Sequence, residues 1–236
     1  MKKFMVCLMV VALFAGQAFA ATFQEKMDEA RLLVKDGKLS EARTCYKEAE
    51  ALTDDPLQKG EAVFPAAYYG LFSLGKFAEA IPEFSSILEL EGIGGYREVE
   101  THRLIAHCLK HLGRYAEAIF EYEKNLSIEG DESWLGHLHG EASYCIALCN
   151  QALGDKQKAL QGFVNTLLNY GRVGLGDNLE KAYMSIDHNL LCEIYELDTN
   201  AKYNAFLRKL WLALKPITAD KAVVAERIKT DMISEN

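Results

Sequence analysis

Apolar and small residues recur along this chain at spacings of three and four positions, which is the spacing of one face of an α-helix. In the segment from His102 to Leu112, for example, Ile105, Ala106 and Leu109 share such a face. Four segments show this pattern and each is closely followed by a glycine and a second patterned segment: KMDEARLLVKD, FPAAYYGLFSL, HRLIAHCLKHL and SYCIALCNQAL. The pattern predicts an all-α fold built from antiparallel helix pairs.

The junction between the two helices of each pair carries its own repeat. A glycine is followed five residues on by an alanine and then, after four more residues, by an aromatic residue, at intervals of about 40 residues. Glycine ends a helix because it accepts a positive φ at little cost, and the alanine suits a contact between two helices. The aromatic residue lies one turn further along the same face. The four copies are GKLSEARTCY from Gly37, GKFAEAIPEF from Gly75, GRYAEAIFEY from Gly113 and GDKQKALQGF from Gly154.

The segments LGKFAEAIPEF and LGRYAEAIFEY resemble the tetratricopeptide repeat family, whose helix pairs repeat with a period of about 34 residues. The resemblance covers roughly residues 23–171. It implies four helix pairs in residues 21–171, stacked as a right-handed α-solenoid. Between the pairs, the stretches LTDDPLQKGE, EGIGGYRE and IEGDESWLGHLHGE are rich in glycine and acidic residues and are predicted to be loops.

Residues 172–236 are predicted to form a degenerate fifth helix pair and a C-terminal capping helix. The first helix is expected from about Leu179 to Leu197 and the second after Thr199. The last helix is predicted to be amphipathic, with an apolar face formed by Val223, Val224, Ile228 and Met232. The alternative is a swapped tail, or a structural module that forms a homo-oligomer through its C-terminal helices.

The N-terminus has the pattern of a secretory signal peptide. Lys2 and Lys3 precede an uncharged apolar run from Phe4 to Gly16, and Ala18 and Ala20 provide a small-x-small cleavage site. The run is shorter than the roughly 20 residues that a membrane-spanning helix needs, which disfavours an anchor. The sequence predicts that residues 1–20 are cleaved after Ala20 and that the mature chain, without a transmembrane segment, is periplasmic or secreted.

The chain is acidic, with a formal net charge of -8 at pH 7. Removal of the predicted leader makes the charge two units more negative, because Lys2 and Lys3 are its charged residues. Nucleic-acid binding normally depends on an excess of basic residues. The sequence therefore predicts no nucleic-acid partner.

The resemblance also implies a binding surface, because the first helix of each pair lines a groove in the tetratricopeptide family. The non-core positions of those helices form a mixed aromatic and basic set, suited to stacking on side chains and pairing with carboxylates. We expect this surface to bind an extended peptide or protein in the bacterial cell envelope. The alternative is that its aromatic residues are packing residues and its cations are merely solvated. The candidate residues are Arg31, Tyr69, Phe72, Arg103, His107, Lys110 and Tyr144.

Five cysteines follow the predicted leader, and an odd number leaves at least one thiol unpaired in a monomer. Cys145 and Cys149 lie one turn apart on a predicted helix. The expected role of the cysteines is as small buried apolar residues, with a disulfide between adjacent helices as the alternative.

His107 and His111 share a helical face, as two metal ligands would, and His137 and His139 are expected in a loop. Two ligands do not make a site, so no metal site is predicted. No nucleophile motif, phosphate loop or dinucleotide fingerprint is recognised, so the chain is predicted to be non-catalytic and without a cofactor. A periplasmic protein that binds a small ligand or a metal around His107 or Tyr144 is a further alternative.

Overall fold

The computed structural model describes residues 21–129 and 132–232, without the side chains of residues 132–134. Within these ranges the chain forms twelve α-helices and no β-strand, which confirms the predicted all-α class. The predicted leader, residues 1–20, lies outside the described residues. Among the helices described, none has the length and apolar character needed to cross a membrane.

The chain divides into two compact units, with the boundary between Gly75 and Lys76. In unit one, α2 packs against both α1 and α3. The division separates the predicted second helix pair, because α3 belongs to unit one and α4 to unit two. The elements of unit one are α1 (Phe23–Lys35), α2 (Leu39–Glu50), α3 (Pro56–Gly70) and the 3-10 helix Phe72–Leu74.

Unit two begins with five helices, and each of them packs against the next. This serial packing of neighbouring helices is that of a helical repeat, as the sequence predicts. The helices are α4 (Phe77–Leu88), α5 (Gly95–His111), α6 (Tyr115–Ser127), α7 (Glu132–Ala152) and α8 (Lys156–Tyr170).

The repeated glycine, alanine and aromatic positions have the predicted roles. All four glycines adopt a left-handed conformation, with φ between 73° and 81°. The four alanines and the four aromatic residues are at most 4 % exposed. They are Ala42, Ala80, Ala118 and Ala159, with Tyr46, Phe84, Tyr122 and Phe163.

The predicted loops between the pairs are wrong over much of their length, because the following helices begin inside them. α3 starts at Pro56, where Asp55 accepts hydrogen bonds from the backbone N–H groups of Leu57 and Gln58. Proline at the first helical position lacks only an N–H that would have no partner in the helix. His137 and His139, predicted in a loop, lie on α7.

The predicted helix from Leu179 to Leu197 is also wrong, since the chain leaves the helix at Ser185 and starts another at His188. Asp187 causes the restart, because its carboxylate accepts hydrogen bonds from the N–H groups of Asn189 and Leu190. The last four helices are α9 (Asp177–Met184), α10 (His188–Ile194), α11 (Asn200–Ala213) and α12 (Ala219–Asp231).

These helices cover one side of α8. α9 and α11 pack against α8, and α12 packs against both α9 and α11. Their apolar residues join those of α8 in one core, to which α12 contributes Val224 and Ile228. Val223, which was predicted for the same apolar face, is instead 52 % exposed.

Lys221 is the unexpected member of this cap, because it is only 3 % exposed. Its ammonium group donates hydrogen bonds to the backbone carbonyls of Arg172 (2.9 Å), Leu214 (3.2 Å) and Pro216 (3.1 Å). A buried cation is tolerated when such partners replace its water shell. The three bonds tie α12 to the end of α11 and to the turn after α8.

Replacement of Lys221 by methionine tests this role. Lys221→Met keeps most of the side-chain volume but leaves three buried carbonyls without their donor, and we expect a loss of about 1–3 kcal/mol in the free energy of unfolding. Urea unfolding of the protein measures the loss, and hydrogen exchange should show it concentrated in α12. Lys209→Met, on the exposed side of α11, is the matched control. Equal stability of the two variants would contradict the role assigned to Lys221.

Candidate functional site

The predicted binding residues fall into two groups, one in each unit. Arg31, Tyr69 and Phe72 belong to unit one. The other four belong to unit two: Arg103, His107, Lys110 and Tyr144. Each group therefore has its own surroundings and its own chemistry.

In unit one, Arg31 is exposed on α1 and pairs with Asp28 at 2.7 Å. Tyr69 packs against the core of this unit and meets the ring of Tyr68 edge-on, with 5.1 Å between the ring centroids. Tyr69 is therefore a packing residue, which is the alternative role considered for it. Exposed pairs such as Arg31 and Asp28 contribute little to stability.

An aromatic row that runs from α3 into the 3-10 helix includes a residue that sequence reasoning missed. The ring of Tyr68 stacks on Phe64 and on Phe72, at centroid distances of 6.3 Å and 5.6 Å. The three residues follow one another at intervals of four; Phe64 and Tyr68 share a face of α3, and Phe72 begins the 3-10 helix that follows. That spacing is visible in the sequence and would have placed Tyr68, rather than Tyr69, beside Phe72.

In unit two, Arg103 lies on α5 and is held by two carboxylates. Its Nε and one terminal nitrogen donate to Glu100, one turn earlier, at 2.9 Å and 2.6 Å. Its other terminal nitrogen donates to Glu141 of α7 at 3.2 Å. The Arg103 side chain is 17 % exposed, so the alternative of a merely solvated arginine is wrong. The guanidinium thus bridges α5 and α7, each of which is the first helix of its pair.

His107 continues this cluster one turn further along α5. Its Nε2 lies 3.2 Å from Glu141, and its Nδ1 lies 3.2 Å from the hydroxyl of Tyr122. Burial lowers the pKa of His107, although the hydrogen bond to Glu141 opposes this shift. The neutral tautomer that satisfies both contacts has its hydrogen on Nε2 and accepts the Tyr122 hydroxyl at Nδ1.

Glu141 is the common partner of Arg103 and His107. Burial raises the pKa of Glu141, but the hydrogen bond from His107 and the charge of Arg103 outweigh it and bring the pKa down to about 2. The carboxylate is thus ionised at neutral pH. Sequence reasoning missed Glu100 and Glu141, although Glu100 stands three residues before Arg103, a spacing that favours an ion pair on a helix.

Lys110 has a different environment at the other end of this face. Its ammonium group lies 3.5 Å from the sulfur of Cys145 on α7. Burial raises the pKa of the Cys145 thiol, against the opposing charge of Lys110. Lys110 therefore meets a neutral thiol, and no salt bridge of Lys110 is found within the described residues. A protonated thiol is also a poor nucleophile, which is consistent with a binding role.

Tyr144 does not belong to this surface. It is 7 % exposed, and its ring packs on Phe163 of α8 at a centroid distance of 6.0 Å. Tyr144 therefore packs in the core between α7 and α8 instead of lying on the predicted binding surface. The remaining group is named here the α5–α7 cluster and consists of Glu100, Arg103, His107, Lys110, Glu141 and Cys145.

The histidines and cysteines make no metal centre in the part of the chain that the structure describes, where no group of three or more possible ligands converges. The ring of His111 stacks on Phe77, with 4.4 Å between centroids, while His107 is engaged by Glu141. The five cysteines that follow the predicted leader are free thiols, and all except Cys192 are buried. The expected role as small buried residues thus describes four of them.

The charge of Arg103 can be tested through the titration of Glu141. Because the pKa of this carboxyl is lowered from 4.5 to about 2, it stabilises the fold above pH 4.5 and loses that effect as the pH falls through about 2. We expect Arg103→Gln to raise the pKa of Glu141, measured by NMR of the side-chain carboxyl. Arg208→Gln, on the exposed side of α11, is the control. An unchanged titration of Glu141 in Arg103→Gln would contradict the assigned pairing.

Comparison with protein families gives a match to a repeat model. The family model of the tetratricopeptide repeat matches residues 100–132, which include the Gly113 turn and all of α6. The matched segment contains Arg103, His107 and Lys110. Comparison with characterised proteins finds no matching relative. The matched segment, together with the packing of neighbouring helices, shows a tetratricopeptide repeat within the chain at residues 100–132.

Proposed function

We propose that this protein is an exported, non-catalytic scaffold that binds a protein or peptide segment in the bacterial cell envelope through the α5–α7 cluster. Tetratricopeptide repeats support a role in protein-protein interaction. The observation that carries the proposal for this site is the contact of Lys110 with a neutral thiol, on a face where the other charges are already paired.

Lys110 is proposed to bind a carboxylate of the partner. A cation that has only a weak sulfur acceptor gains a stronger hydrogen bond when a carboxylate arrives, because charge-assisted bonds are the stronger ones. Arg103 cannot serve in the same way, since Glu100 and Glu141 surround it and would repel a second anion. Its role is to hold α5 and α7 together.

The Glu100 and Glu141 end of the cluster suits the opposite chemistry. Carboxylate oxygens accept hydrogen bonds, so a partner would present N–H or hydroxyl groups there. The preferred ligand is therefore an extended segment with an acidic group near Lys110 and donor groups near Glu141. This replaces the mixed aromatic and basic surface that the sequence predicts.

In unit one, Arg31, Tyr69 and Phe72 stay predicted contacts. Arg31 is exposed, and Phe72 presents a partly exposed ring beside Tyr68. Exposed cations and aromatic rings each suit contacts with a peptide. The proposal does not require these residues to act together with the α5–α7 cluster.

Export is part of the proposal and rests on the leader pattern of residues 1–20. The acidic charge of the chain supports a protein partner rather than a nucleic acid. The C-terminal helices are proposed to cap their own chain rather than to join two copies, because Val224, Ala225 and Ile228 of α12 already lie in the core of unit two.

The binding role is tested with Lys110→Gln. The mature protein and this variant are used to capture partners from the envelope of the source cells, and the affinity for the captured segment is then measured by calorimetry. We expect Lys110→Gln to weaken the affinity about tenfold or more, because it removes a charge-assisted hydrogen bond. Lys209→Gln, which is exposed on α11, should bind like the wild type. Equal affinity of wild type and Lys110→Gln would contradict the proposed contact.

Export is tested by the mass of the protein recovered from the envelope fraction of a bacterial host. We expect a chain that begins at Ala21, because Ala18 and Ala20 form the small-x-small site. Ala20→Asp should block this cleavage, whereas Phe19→Leu, at the tolerant middle position, should not. Recovery of the wild-type chain with residues 1–20 still attached would contradict the prediction.

A further inference from the structure

A cavity of about 500 Å³ opens in unit two, away from the α5–α7 cluster. It lies where the end of α6, the first turns of α7 and the end of α8 meet the 3-10 helix Gly171–Val173. This volume is in the range of cavities that hold small molecules. Among the described residues, its apolar walls include Leu126, Leu135, Tyr170 and Val173.

The walls of the cavity are fixed by close packing on α7. A Cβ atom at Gly136 would come within 3.0 Å of Val173, and one at Gly140 within 2.6 Å of Leu175. The lack of side chains at these two positions lets the turn after α8 approach α7. His137 adds a contact of 3.2 Å from its Nδ1 to the carbonyl of Gly174. Most of the lining is thus packed helix, and Ile128 and Glu129 contribute from the segment that follows α6.

His139 supplies a polar atom that lacks a partner. It lines the cavity, and its Nε2 is buried without a hydrogen-bond partner in the described part of the chain. Burial lowers the pKa of His139, although a hydrogen bond to the backbone of Asn125 opposes this shift. The ring is therefore neutral at pH 7, and with its N–H directed to Asn125, Nε2 is left as an acceptor. Because this nitrogen is buried from a water-sized group, His139 shapes the wall of the cavity rather than offering a contact to a ligand.

The outer part of the cavity is polar. Arg172 and Asn169 line it and are exposed to solvent. The backbone carbonyl of Arg172 is bound by Lys221, which fixes the position of this residue. Glu129 also lines the cavity, so one anionic group near Arg172 is favoured over several.

We propose that this cavity binds a small amphipathic anion, with an apolar, partly aromatic body against Leu135 and Tyr170 and one acidic group near Arg172. This goes beyond the proposed peptide binding, because it uses other residues at another place in unit two. The size and lining of the cavity support it, since the cavity combines apolar walls with few polar groups, as ligand sites do.

The test uses the dye 2-anilinonaphthalene-6-sulfonate, which has an aromatic body, one N–H donor and one sulfonate. The fluorescence of the directly excited dye, measured as the mature protein is titrated, should show saturable binding of one dye per chain. Asn169→Trp fills the mouth of the cavity, and we expect it to weaken binding about tenfold or more. Arg172→Gln removes the cation and should weaken it about fivefold.

Asn165→Trp is the matched control, because Asn165 is exposed one turn earlier on α8 and does not line the cavity. Its affinity for the dye, and that of Lys110→Gln, should equal that of the wild type. Circular dichroism melts verify that the variants fold. If Asn169→Trp does not fold, the affinity of Arg172→Gln decides the test. The proposal is overturned by a lack of saturable binding, by unchanged affinity in Asn169→Trp and Arg172→Gln, or by equal weakening in Asn165→Trp.

Discussion

The close approach of neighbouring helices at buried alanines is the constraint on which the rest of the structure depends. Ala42 on α2 lies in one core with Ala30 of α1 and Ala62 of α3, and Ala159 on α8 lies in one core with Ala147 of α7. The side chains at a contact set the distance between two helices. Small side chains bring the backbones together and leave room for an aromatic residue one turn away.

The geometry of the side chains on the binding face depends on this packing. Tyr122 is a repeat aromatic residue with no exposed surface, and its hydroxyl nevertheless reaches His107 on the adjacent first helix. His107 in turn contacts Glu141, which holds Arg103. The core thus fixes the geometry of the polar groups on the surface. Such preorganisation lowers the cost of ordering side chains when a partner binds.

The cap and the cavity are coupled by the short turn after α8. Arg172 lines the cavity with its side chain and accepts a hydrogen bond from Lys221 of α12 with its carbonyl. A change in the cap at Lys221 would therefore reach the cavity through one residue. The α5–α7 cluster, by contrast, shares none of these contacts, so the peptide site and the cavity can be changed separately.

The sequence by itself determined the helix pairs, the glycine turns and the buried alanines and aromatic residues such as Ala118 and Tyr122, because these depend on neighbours within one or two helical turns. It also marked Arg103, His107 and Lys110 as one helical face. Only the tertiary structure decided that Arg103 is neutralised by Glu141, 38 residues away, that Tyr144 is buried, and that Lys221 binds three carbonyls. The physical reason is that such pairings depend on which faces of distant helices meet, and local spacing carries no record of that register.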